Sequence, residues 1–154
     1  SKRRKLWAIK KWLQLIAGIR ERGLQPLLIG AGAMDRETNG AILAGLQQPL
    51  PNLTDSLSLL ELAQLMREAT FYVGNDSGPM HLATALGLPG VALFGPTKDA
   101  IWGPLLPTTE VLRGYDCPES CRNGHDCALN LRCLGDLNAA KVLTALDRGL
   151  AASN

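Results

Sequence analysis

Two short stretches carry residue types that could do chemistry. Residues 75–81 read Asn-Asp-Ser-Gly-Pro-Met-His, and residues 94–97 read Phe-Gly-Pro-Thr. Ser77 or Asp76 is placed to cap a helix beginning near Pro79, which would turn the Gly78 amide and its neighbours out of the helix N-terminus. Such N–H groups, with the positive end of the helix dipole, suit a phosphate. Gly78 has no side chain to keep a pyrophosphate from the backbone. His81 falls in the first turn, where a ring nitrogen can bond a phosphate oxygen; protonated, it would favour departure of a nucleoside diphosphate. Asp76 would repel phosphate, yet it accepts hydrogen bonds from sugar hydroxyls. Thr97, at the second stretch, offers the phosphates one more hydroxyl. A nucleotide sugar contains both kinds of partner.

The same residues also make a turn and helix cap that need no ligand. A single His on an otherwise apolar helix is commonly a satisfied core residue. Residue chemistry alone leaves binding and turn-making open.

The elements that would position these residues can be read along the chain. Trp12, Leu15, Ile16 and Ile19 recur at helical spacing between Lys10 and Arg22, and Gly23 is placed to stop that helix. "PLLIGAG" (26–32) reads as a buried strand entering a loop, Asp35 to Leu46 as a second helix, and 50–53 as a short strand. Ser58 and Glu61 have the spacing of a capping box, which predicts a helix carrying Leu62, Leu65, Met66 and Ala69. "TFYVG" (70–74) and "PGVALFG" (89–95) are strands, with a helix over 79–87 between them. "TEVLR" (109–113) is an edge strand, and Asp136 is expected to cap a final helix with Leu137, Val142, Leu146 and Leu150. Near-continuous apolar strands alternating with helices predict an α/β fold: a Rossmann-like parallel sheet with helices on both faces. Ligands of such sheets bind outside the carboxyl ends of the strands. Residues 30–32, 74–78 and 95–97 would gather there.

Length and composition agree. A chain of 154 residues suits one domain. Its 46% hydrophobic and 19% charged residues exclude a disordered chain. Sixteen Lys and Arg against fourteen Asp and Glu leave +2, too mild a balance to imply nucleic acid. The basic opening "SKRRK" reads as a solvated terminus or linker. No apolar run approaches the ~20 residues of a membrane span, and no signal-peptide pattern is present, so a cytoplasmic location is the default expectation.

Several motifs in order resemble glycosyltransferase family 9, the ADP-heptose:lipopolysaccharide heptosyltransferases and their relatives. They are Lys10-Lys11-Trp12, "LLIGAG", Ser58-Leu59-Leu60-Glu61-Leu62, Asp76-Ser77-Gly78-Pro79-Met80-His81-Leu82-Ala83-Thr84-Ala85, Phe94-Gly95-Pro96-Thr97 and Trp102-Gly103-Pro104. The resemblance implies the C-terminal, donor-binding half of a GT-B enzyme, with a nucleotide sugar, above all ADP-heptose, as donor. Transfer would invert the anomeric carbon without a metal at the reacting centre. The resemblance further implies that Asp76 contacts the sugar, that Ser77, Gly78 and His81 hold the diphosphate, and that Lys10 adds positive charge to the same phosphates. The acceptor would be lipopolysaccharide core or a protein.

Departures bear on the donor. Lys5 and Leu6 stand where some members carry hydroxyl residues, Met34 or Asp35 where some carry an acidic nucleoside contact, and Lys98 where many have Asp. The acceptor domain and its catalytic Asp would lie upstream of Ser1, so the 154 residues are expected to bind donor and to transfer little alone. Peripheral attachment at the inner membrane would depend on that other half. The oligomeric state is left open.

All four cysteines, Cys117, Cys121, Cys127 and Cys133, fall in one segment, separated by three, five and five residues. In a reducing compartment clustered thiols suggest a tetrahedral sulfur site for structural zinc or iron, with two disulfides or free thiols as alternatives. Many family-9 sequences carry a similar loop, and in some relatives it looks like an iron-binding element. His125 is a substitute ligand or an exposed loop residue. Two other functions stand beside the transferase: a non-catalytic Rossmann-like assembly module with a metal-stapled loop, and a sugar-nucleotide epimerase-like domain. Only the readings with a nucleotide need Asp76, Gly78 and His81 around a diphosphate.

Overall fold

The structure is a computed structural model that describes residues 6–118, 127 and 130–152. The basic opening segment, Cys121 and His125 lie outside the described residues. In chain order the elements are α1 (Ile9–Glu21), α2 (Ala33–Gly45), α3 (Leu59–Glu68), β1 (Tyr72–Asn75), α4 (Gly78–Ala85), β2 (Gly90–Leu93), α5 (Asp99–Trp102), β3 (Thr109–Leu112), α6 (Arg132–Gly135) and α7 (Ala139–Ala152).

The strands form a parallel sheet in the order β1-β2-β3, with Asn75 opposite Leu93 and Leu93 opposite Leu112. Each residue of β2 is buried, as a central strand covered on both faces requires. Alternation along β2 splits the core. Val91 and Leu93 pack with Trp7 and Leu15 near α1 and with Val142 and Ala145 of α7. Ala92 and Phe94 pack with Met66 of α3 and Met80 and Ala83 of α4. The predicted α/β sheet with helices on both faces is what forms.

Several local expectations hold. α3 carries the full Ser58–Glu61 capping box, in which the serine hydroxyl and the glutamate each bond the other's backbone amide. α1 ends before Gly23, whose φ of +72° suits glycine. Two expectations need correction. The run 26–32 and the segment near 50–53 are reduced to one parallel bridge, Leu28 with Asn52, flanked by the bonds Leu28 N→Pro51 O, Leu53 N→Leu28 O and Asp55 N→Gly30 O. Asp136 does not cap α7. It pairs with Arg132, while Asn138 Oδ1 accepts from the Lys141 amide at 2.9 Å and serves as the cap.

The ends of the helices orient the molecule. α7 begins beside Gly114, just beyond the carboxyl end of β3, because a Cβ on Gly114 would strike Leu137 N. It finishes beside Phe71, at the start of β1, where Gly149 leaves room for the ring. α1 runs alongside α7 in the same sense. Trp7 Nε1 donates to Leu137 O, Gly18 faces Leu143, and Arg22 forks onto Asp147. The first turn of α1 therefore lies at the carboxyl end of the sheet.

Candidate functional site

β1 ends at Asn75, and α4 starts at Gly78 with Pro79 in its first turn. Parallel pairing with β2 sets Asp76 and Phe94 at neighbouring strand ends, with strands about 4.8 Å apart. Asp76, Ser77, Gly78 and His81 thus share the sheet edge with Thr97, and Lys10 stands exposed at the start of α1 at that same end.

Of the two capping candidates for α4, Ser77 does not form the cap. Ser77 has extended backbone (φ −159°), and its hydroxyl donates instead to Asn75 O at 3.1 Å. The Met80 and His81 amides both bond Ser77 O, at 3.1 and 3.4 Å. Ser77 therefore makes no side-chain cap on the helix. A Cβ built on Gly78 would meet nothing within 4 Å, so the space on the side-chain side of its Cα is open. Beside it, Asn75 Oδ1 is buried without a hydrogen-bond partner.

Tyr72 forms the floor. Its ring lies across Gly74, where any Cβ would collide with the phenol oxygen. Burial pushes the phenol up to about 12, and a hydrogen bond with Ser77 draws it back slightly. A neutral phenol therefore underlies the start of α4 at ordinary pH.

The helix N-terminus of α2 contrasts with this. Ala31 N donates to Asp35 Oδ2 at 2.8 Å, and Gly32 N donates to Asp55 Oδ1 at 2.7 Å. The Gly32 amide, and then Arg36, hold the Asp55 carboxyl below its usual range. The glycine-ended segment 30–32, grouped by sequence with the other two strand ends, is thus filled by the protein's own carboxylates.

The Phe94–Thr97 segment is shaped by Arg113, a residue that sequence reasoning passed over. Its guanidinium donates to Gly95 O, to Thr97 O at 2.7 Å and to Asp99 Oδ1 at 2.9 Å, and it sits 5.5 Å from the Phe94 ring centre. The available signal was a charge directly after the apolar strand residues Val111 and Leu112.

The sulfur site expected of Cys117, Cys121, Cys127 and Cys133 finds no support. Cys121 lies outside the described residues. Cys117 and Cys133 are buried and Cys127 is half-buried, and no disulfide joins these three. Among the described residues no group of three or more His, Cys, Asp or Glu side chains is arranged to hold a metal ion. Burial raises the Cys133 thiol above its ordinary value.

Comparison with known proteins gives a consistent result. The chain is 31% identical over 147 residues to lipopolysaccharide heptosyltransferase 2 of Escherichia coli K12, covering 93% of this chain and 42% of that protein. It is 34% identical over 114 residues to lipopolysaccharide heptosyltransferase 1 of Pseudomonas aeruginosa, covering 74% and 31%. The chain therefore spans less than half the length of these relatives. Among solved structures, that of E. coli ADP-heptose lps heptosyltransferase II superposes with a TM-score of 0.83 at 30% identity, over 97% of this chain and 43% of the other. The family 9 glycosyltransferase of Veillonella parvula gives 0.82 at 26% identity, over the same shares. These neighbours have the GT-B fold. Residues 1–131 match the family model described as glycosyltransferase family 9 (heptosyltransferase), and the chain belongs to that family.

Proposed function

We propose that this chain is the donor-binding domain of an inverting glycosyltransferase. It would take heptose from a nucleotide sugar, ADP-heptose, to lipopolysaccharide core. The observation that supports the reading is the N-terminus of α4, where Asp76, Ser77, Gly78 and His81 gather and Ser77, the N-cap residue, makes no side-chain cap. The E. coli relative is an ADP-heptose lps heptosyltransferase, and ADP-heptose has a diphosphate for that end and hydroxyls for Asp76.

In this reading the Gly78 amide and the helix dipole stabilise charge that grows on the β-phosphate as the glycosidic bond to the donor breaks. His81 donates a hydrogen bond to a phosphate oxygen, and its protonated form adds to that stabilisation. Thr97 donates from the neighbouring strand end, and Lys10 contributes positive charge at the same edge. Asp76 accepts from sugar hydroxyls and orients the ring. Inversion requires an acceptor hydroxyl and a base on the opposite face of that ring. The proposal assigns both to an acceptor domain beyond these 154 residues. Among the described residues no helix is long and apolar enough to cross a membrane.

Calorimetric titration with ADP, UDP and GDP tests the assignment. ADP is expected to bind, and His81→Ala to weaken it by about ten-fold, the size of one charge-assisted hydrogen bond. Binding of UDP or GDP in place of ADP would keep the glycosyltransferase and discard ADP-heptose. A folded chain that binds none of the three would overturn the reading.

A further inference from the structure

We propose that Arg113 is a positioning residue for donor binding: its guanidinium sets the conformation of residues 94–99 and thereby aims Thr97 at the diphosphate. This rests on the nucleotide-sugar reading above. Nothing in that reading assigned Arg113 a part.

The geometry is that of a clamp. One planar group, with only 9% of its side chain exposed, gathers the Gly95 carbonyl, the Thr97 carbonyl and the Asp99 carboxylate, and also covers the Phe94 ring. Two carbonyls and a carboxylate turned to one point repel each other unless a cation stands between them. A guanidinium offers several donors in a rigid fork, whereas an ammonium offers a point charge. The base of the clamp is fixed as well. Lys141 Nζ donates to Arg113 O at 2.6 Å, and Gly114 N donates to Cys133 O at 2.7 Å. Gly114 abuts the Leu137 amide so closely that no Cβ would fit. The movable part is therefore the loop. Thr97 is β-branched, so fixing its main chain also narrows the directions open to its hydroxyl. Holding that hydroxyl in place before the ligand arrives spares the ordering cost at binding.

The test is a double-mutant cycle with this chain, ADP as ligand and adenosine as control. Arg113→Lys keeps the charge but loses the fork, and is expected to weaken ADP by roughly 5- to 20-fold, with adenosine affinity unchanged. Thr97→Val is expected to weaken ADP similarly. Because both act through one hydroxyl, the double variant should fall no more than about two-fold below Thr97→Val. Should Arg113→Lys fail to fold, Asp99→Asn loosens the same clamp from its exposed side. Its smaller loss should likewise vanish in the Thr97→Val background.

Multiplying losses in the double variant, an adenosine loss equal to the ADP loss, or unchanged ADP affinity in either single variant would each overturn the inference while leaving the nucleotide site standing. A wild-type chain that binds no ADP would remove the nucleotide reading itself, and this inference with it.

Discussion

α2 and α4 both start where a glycine-bearing segment leaves the sheet region, and by sequence both are candidates for an anion. At α2 the chain supplies the anion itself: Asp35 reaches back to Ala31 N, and Asp55 comes from a distant loop to Gly32 N. At α4 the N-cap residue Ser77 turns elsewhere, its hydroxyl donating to Asn75 O rather than capping the helix. The dipole is similar at both. A carboxylate of the same chain marks α2 as a structural terminus, against which the proposed binding role of α4 can be tested.

Glycine substitutions give the sharpest way to break this comparison. At Gly78 a Cβ meets nothing and φ is not positive, so Gly78→Ala should leave stability unchanged or raised by up to about 1 kcal/mol. The new methyl group would stand in the space proposed for phosphate, and ADP affinity should fall by about ten-fold or more. Gly30 is the converse. Its φ is +156°, and a Cβ would come within 2.7 Å of Asp35 Cβ. Gly30→Ala should cost on the order of 1–3 kcal/mol through strain and a displaced Asp35, with ADP affinity changed little in the fraction that stays folded. Thermal melts and calorimetry on both variants separate the two outcomes. Equal binding losses would dissolve the distinction between the termini.

How far these differences can be read from sequence depends on the reach of the interactions. The apolar runs of β1 and β2, the Ser58–Glu61 box and the helix between 79 and 87 are set by neighbours a few residues apart, and they are legible. That Asp76, Ser77, Gly78 and His81 gather at the start of α4 is legible for the same reason, while their part in binding is the proposal. The closure of α2 by Asp55 is not legible, since its carboxylate arrives from 23 residues away. Arg113 is hidden for the same reason: its partners lie 14 to 18 residues earlier. Ser77 does not cap α4, because its hydroxyl is turned to donate to Asn75 O and its oxygen meets no helix amide. Asn138 displaced Asp136 as the cap of α7 because Asp136 had a cationic partner four residues back.

Alkaline pH should weaken the site that is floored by Tyr72. Its folded pKa is raised to about 12 by burial, against an ordinary value of 10.0. A group raised in the folded state gives stability that is fully present below the unfolded value and lost as pH climbs through the folded one. Between pH 10 and about 12 the chain should therefore lose on the order of 2–3 kcal/mol that a neutral phenylalanine would not. Denaturant titrations of wild type and Tyr72→Phe across that window should diverge steadily. Parallel curves would mean that the phenol reaches solvent and that α4 has no dry floor.

α2 should answer at the other end of the pH scale, and more weakly. The Asp55 carboxyl is depressed from its ordinary 3.8, first by the Gly32 amide and then by Arg36. Stability from a depressed carboxylate is present above the unfolded value and disappears as pH falls through the folded one, so the loss begins near 3.8 and continues below it. Asp55 is solvent-exposed, which screens its charge and keeps the effect small. Asp55→Asn retains an oxygen for Gly32 but gives up the charge. Its stability should sit slightly below wild type at neutral pH and meet the wild-type curve in acid. ADP affinity at neutral pH should not move, because this carboxylate closes a terminus the ligand does not use. A gain in ADP affinity in Asp55→Asn would instead place nucleotide at α2, with the carboxylate acting as its competitor.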